Sequence, residues 1–154
     1  MIDPPSIVTT PEQHTAFIHL HIPRTDMPSV FGPAVGELIG AMAAQGVYPA
    51  GPCFAHHRYM EEGIFDFELS FPVASPVQPA GRMQAGVRPS RQVAQTLYHG
   101  PYEGLSGAWG AFMNWMESQG HPPAADLYET YVKGPESSSN PADWITELTR
   151  PLAG

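Results

Sequence analysis

Two segments of this chain repeat one pattern, and that repeat limits the fold more than any other feature. QGVYPAGPCFAHHRY begins at Gln45 and QGHPPAADLYETY begins at Gln119. Each opens with Gln-Gly, has Pro-Ala three residues after the glycine, and then runs into a strand-like stretch. Upstream of the first, Phe31, Val35, Leu38, Ile39 and Met42 recur at the spacing of one helix face. Leu105, Ala108, Trp109, Phe112 and Met116 do the same upstream of the second. Pro33 and Pro101 stand near the expected helix starts, where a missing N–H costs little. Gly46 and Gly120 stand just past the ends, where a left-handed cap needs no Cβ.

A strand precedes each helix, at residues 14–22 and 91–99, and two strands follow it. These are CFAHHRYM with FDFELSFPV, then DLYETYV with DWITELTR, while residues 81–89 supply a connecting strand. The pattern predicts an α+β fold built as β-α-β-β twice, one domain over residues 1–154 with halves at about 13–75 and 81–151. The sheet is expected to be largely antiparallel, with two main helices on one face and a ligand cleft on the other.

Charge and composition exclude several classes. Seven Lys+Arg against fifteen Asp+Glu give a formal net charge of −8, without the basic footprint of a nucleic-acid binder. No apolar run approaches the ~18 residues of a membrane helix, so no membrane partner is expected. The opening MIDPPSIVTTPEQH lacks a basic region followed by an apolar stretch, which makes a cytoplasmic location the expectation. Cys53 is the only cysteine and reads as a buried structural thiol in a strand. His19, His21, His56 and His57 match no specific ligand spacing, so neither a metal nor a cofactor is expected.

One residue stands out in DLYETYVKG. Strand alternation puts Leu127, Glu129 and Tyr131 on one face and Tyr128, Thr130 and Val132 on the other. Both faces are largely apolar, yet a carboxylate sits in the middle of one. A buried carboxylate must be paired, protonated, near water, or facing a cation. Glu129 is therefore either a strand-edge carboxylate that is solvated or paired with an Arg or Lys such as Arg58, or a functional group projecting into the cleft.

Here HGPYEGL (residues 99–105), ETY (129–131) and DWITEL (143–148) resemble the GyrI-like small-molecule-binding family, also described as AraC effector-binding or SOUL-like. GPCFAHHRY followed by DFELSFPV (66–73) is similar to the family's first-half signature. One departure is VRPSRQVA, where members often carry Leu-Pro-Ala-Gly. The resemblance implies a cleft for a hydrophobic, aromatic or cationic small molecule, with Glu129 as its acidic residue and Tyr131 beside it. It also implies Trp144 as a wall of the pocket, which the bare sequence would place in the core.

Tyr102 either packs at a helix start or lines the same space, and Trp115, on the flank of its helical stripe, is a further lining residue. Trp109 and Phe112 read as core. Two other activities are implied by relatives of the same family. A stand-alone hydrolase would open the cyclopropane ring of DNA-alkylating natural products, with Glu129 and Tyr131 as the catalytic pair. A gyrase-inhibitor-like module would bind a protein. Residues 133–143 read as a loop at one end of the sheet.

Overall fold

The structure, a computed structural model, describes residues 2–153 and, within them, the side chains of all but residues 59–61. In chain order the described elements are β1 (Ser6–Thr9), β2 (Gln13–Pro23), α1 (Met27–Ala43), β3 (Phe54–Glu61), β4 (Ile64–Pro72), β5 (Gln84–Arg88), β6 (Gln92–His99), α2 (Leu105–Ser118), β7 (Leu127–Lys133) and β8 (Ile145–Pro151). The fold is α+β, with antiparallel strand pairs, and the chain divides into two compact units.

The unit Pro11–Ser90 carries strands in the order β3-β4-β2-β5, with α1 against β2. Residues 1–10 and 91–154 carry the order β1-β6-β8-β7, with α2 against β6. The expected halves are corrected here. β5 pairs with β2 in the first unit, where Gly86 lets the strands approach: a Cβ there would stand 2.8 Å from the Thr15 hydroxyl. β1, which no periodicity signalled, pairs with β6 and extends the second unit.

The repeated Gln-Gly…Pro-Ala has a structural meaning. Gly46 and Gly120 adopt φ of 70° and 73°, the left-handed conformation that ends a helix without Cβ strain. The next N–H, of Val47 or His121, bonds back to Met42 or Met116 at 3.0 and 2.9 Å. The alanine of each Pro-Ala then donates to the end of its unit's outgoing strand, Ala50 to Pro72 and Ala124 to Pro151, both at 2.8 Å. Each repeat thus stops a helix and anchors the return of the chain.

The same offset that carries Gln45 onto Gln119 carries the buried stripe Ala34, Leu38, Met42 onto Ala108, Phe112, Met116. In one unit α1 lies against β2, whose Ala16, Ile18 and Leu20 are buried, and in the other Ala108, Phe112 and Met116 pack with Ala94, Tyr98 and Leu148. Burying each of the larger apolar side chains, such as Leu38, Met42, Phe112 and Met116, contributes about 1.5–3 kcal/mol.

Three local expectations change. α1 begins at Met27 with Pro28 in its first turn, so Pro33 lies inside the helix; it is exposed, where water can satisfy the carbonyl its ring leaves unbonded. Ile39 turns outward, and Ala34 takes its place in the stripe. Cys53 is only partly buried and precedes β3 rather than lying within it.

Candidate functional site around Glu129

Sheet register decides where Glu129 points. Glu129 lies opposite Leu148, which lies opposite Thr96; Tyr131 lies opposite Thr146, which lies opposite Tyr98. Directly paired residues share a face, so Glu129 and Tyr131 share theirs with Tyr98 and Leu148, which pack on α2. The expectation that Glu129 projects from the face away from the helices is corrected. It sits on the helix side, where α2 reaches it.

The Trp109 indole N–H donates to Glu129 Oε2 at 2.7 Å, and the Tyr131 hydroxyl donates to Oε1 at 3.1 Å. Each carboxylate oxygen thus has a neutral donor, and its Arg58 alternative lies instead 3.4 Å from Glu68. Glu129 is partly exposed, so solvent still reaches it. Loss of water around it nonetheless pushes its carboxyl above the ordinary range, against the opposing pull of the two hydrogen bonds. Such a group can hold a proton, pair with a cation, or exchange one for the other.

Aromatic rings continue outward from Tyr131. Tyr102 meets it edge-on, with centroids 6.1 Å apart and planes at 81°, and Trp144 lies 5.0 Å from Tyr102. Two hydrogen bonds hold this arrangement at its base. Tyr98 donates its hydroxyl to Pro101 O at 2.7 Å, fixing the turn before Tyr102, and Gly100 N–H donates to Trp144 O at 3.0 Å. The Trp144 indole donates to Ser138 O at 2.9 Å, which ties the loop at residues 134–144 to the ring chain.

Glu129, Tyr131, Tyr102 and Trp144 are therefore brought together. Trp115 is not joined to them by any described contact; its ring stacks on His121 at 6.0 Å and meets Phe112 at 6.4 Å. Trp109, read as core, is partly exposed and supplies the indole N–H at the carboxylate. Its place on the apolar stripe was visible in the sequence, but periodicity does not say which stripe residue faces which strand.

The corresponding positions of the first unit lack this chemistry. Carried back by the same offset, Trp109, Glu129 and Tyr131 become Val35, Ala55 and His57. Register agrees: Ala55 lies opposite Leu69 and His57 opposite Phe67, as Glu129 and Tyr131 lie opposite Leu148 and Thr146. His57 is 4% exposed between Phe65 and Phe67, and its Nδ1 has no hydrogen-bond partner. On the other face, His19 pairs with Asp66, and His56 lies 3.8 Å from Glu68. Among the described residues no cluster of three or more His, Cys, Asp or Glu is placed to hold a metal ion.

The model of the GyrI-like small-molecule-binding domain matches residues 3–153, and the chain belongs to that family. No curated protein matches it. Among solved structures, the C-terminal domain of EcmrR superposes with a TM-score of 0.86 at 22% identity, covering 97% of this chain and 97% of that one. In EcmrR bound to DNA, the same likeness covers 57% of the longer protein. SAV2435 bound to tetraphenylphosphonium gives 0.70 at 10% identity, covering 99% and 95%. A hydrolase from Listeria innocua gives 0.66 at 14%, covering 97% and 91%. At these identities the likeness establishes the fold. Among the described residues, no helix is long and apolar enough to cross a membrane.

Proposed function

We propose that this GyrI-like domain binds a lipophilic cation or a cationic aromatic compound, with Glu129 as its electrostatic anchor and Tyr131, Tyr102 and Trp144 as its aromatic wall. The observation that carries this reading is the Glu129 carboxylate itself. It is short of water, aligned by Trp109 and Tyr131, and continuous with a row of rings. A carboxylate short of water gains from a cation that also sheds water, and ring faces attract the same cation through their quadrupoles. SAV2435, which shares the fold, is seen with tetraphenylphosphonium, a ligand of this chemistry. The net charge of −8 also favours cations over nucleic acid.

A hydrolytic reading rests on the same carboxyl, whose pKa is raised by loss of water, the direction that makes it a stronger base once ionised. Glu129 would take a proton from water as its oxygen bonds to an activated cyclopropane carbon. The ring C–C bond then breaks, and the carbon that keeps the electron pair takes that proton. Tyr131 would donate to the carbonyl on which charge develops.

One experiment separates the two readings. Wild type and Glu129→Gln are incubated with tetraphenylphosphonium, planar aromatics and activated cyclopropanes, and retained and free compounds are weighed by mass spectrometry. Cations retained unchanged by wild type and lost by the variant support binding. A cyclopropane that gains one water with wild type alone supports hydrolysis. If neither occurs, both readings fail.

A further inference from the structure

Gly134 is buried at the end of β7, where the chain leaves the sheet for the loop leading to Trp144. Its φ lies outside the left-handed region, so the backbone alone would accept alanine. Space would not. A Cβ at this position would stand 2.7 Å from the Tyr102 hydroxyl, closer than real Cβ atoms come to such a neighbour. The other close atoms, at 2.9 and 3.4 Å, are the carboxylate oxygens of Glu136, an exposed side chain that can turn aside.

Tyr102 has less freedom. It rests against Trp144 on one side and Tyr131 on another, at the end of a turn fixed by Tyr98 and Gly100. Gly104 clears space at the same turn: a Cβ there would collide with the Tyr98 hydroxyl, at 2.0 Å. The sequence thus leaves out a side chain on two sides of this turn.

We propose that Gly134 is a positioning residue that determines which ligands the site accepts: the missing side chain seats Tyr102 against Tyr131 and Trp144, and that seat sets the aromatic surface offered beside Glu129. The inference rests on the binding reading for its ligand and on the ring geometry for its mechanism. Any side chain at 134 must displace the Tyr102 ring, and the displacement passes to both neighbouring rings. Bulky aryl cations, which need the rings, feel this change. Small alkyl cations, which meet the carboxylate alone, do not.

The test is a double-mutant cycle of Gly134→Ala and Tyr102→Phe, because the clash is with the hydroxyl that phenylalanine lacks. Two readouts are taken on the full chain. In calorimetry, Gly134→Ala is expected to weaken tetraphenylphosphonium about ten-fold more than tetraethylammonium when Tyr102 is present. The same substitution is expected to change that ratio by less than about two-fold when it is combined with Tyr102→Phe. In ligand-free thermal unfolding, Gly134→Ala is expected to lower Tm by about 3 °C when made in wild type and by under about 1 °C when made in the Tyr102→Phe variant.

Equal Tm shifts in the two backgrounds would overturn the proposal whether or not any cation binds. So would an unchanged selectivity ratio in a wild type that does bind. Coupling in Tm, with no cation retained by wild type, would leave Gly134 seating Tyr102 and overturn the binding reading alone.

Discussion

Trp109 and Glu129 stand twenty residues apart in the chain, on a helix and a strand, and the indole N–H of one donates to a carboxylate oxygen of the other at 2.7 Å. The bond spans the turn between α2 and β7, the segment that Gly120 and Ala124 fix in place. Helix end, strand register and carboxylate are thus one construction. The Val35 and Ala55 of the first unit show the same framework without it.

Replacing Trp109 by Phe keeps most of the ring and removes the donor. One of the two bonds that lower the Glu129 pKa is then lost, so that pKa rises further. The pH at which cation binding is half-developed should move upward, and stability should fall by about 1–2 kcal/mol for the lost bond. Binding titrations across pH read the first effect and denaturant unfolding the second. An unmoved pH profile would separate Trp109 from the carboxylate.

The carboxyl also predicts an unusual pH dependence of stability. Folded Glu129 holds its proton above the ordinary value of 4.5, where the unfolded chain has released it. The folded state therefore binds more protons in the window from 4.5 up to the folded pKa, and stability declines as pH rises through it. Every ten-fold gain in proton affinity on folding corresponds to about 1.4 kcal/mol. Glu129→Gln removes the group, so the unfolding free energy of wild type minus variant should fall with rising pH. A flat or rising difference would contradict the raised pKa.

His57 predicts the opposite slope. Burial, and then the charge of His56, pull its imidazole down to about 4 from 6.5, with Asp66 opposing weakly. Between those values the unfolded chain binds the extra proton, so this contribution is intact above 6.5 and is lost as pH falls towards about 4. The full loss is of order 3 kcal/mol. His57 stacks on Phe67 and meets Phe65 edge-on, a setting that accepts another ring, so His57→Phe should remove this acid sensitivity; a variant as acid-labile as wild type would refute the assignment.

Much of this was legible in the sequence because the repeat carries its own punctuation. Gln-Gly…Pro-Ala marks where a helix stops and where the returning strand is anchored, and period-2 alternation set Glu129 and Tyr131 on one face. Helix starts were less legible: Pro33 reads as a first-turn proline by local rules, but Pro28 fills that place. β1 has four residues and lies at a sheet edge, too short for a period to register. The face of Glu129 depends on its pairing with Leu148, and the role of Trp109 depends on that face. Neither follows from the spacing along a single element.

The role proposed for Glu129 is to anchor a cation. The test is calorimetric titration of tetraphenylphosphonium into wild type and Glu129→Gln at about pH 8, because a raised pKa calls for a higher pH to ionise the carboxyl. Loss of the charge partner should weaken binding by about thirty-fold or more, with the variant still folded by circular dichroism. Equal affinity in the two proteins would mean that the rings bind without the carboxylate, and the account given for Glu129 would be wrong.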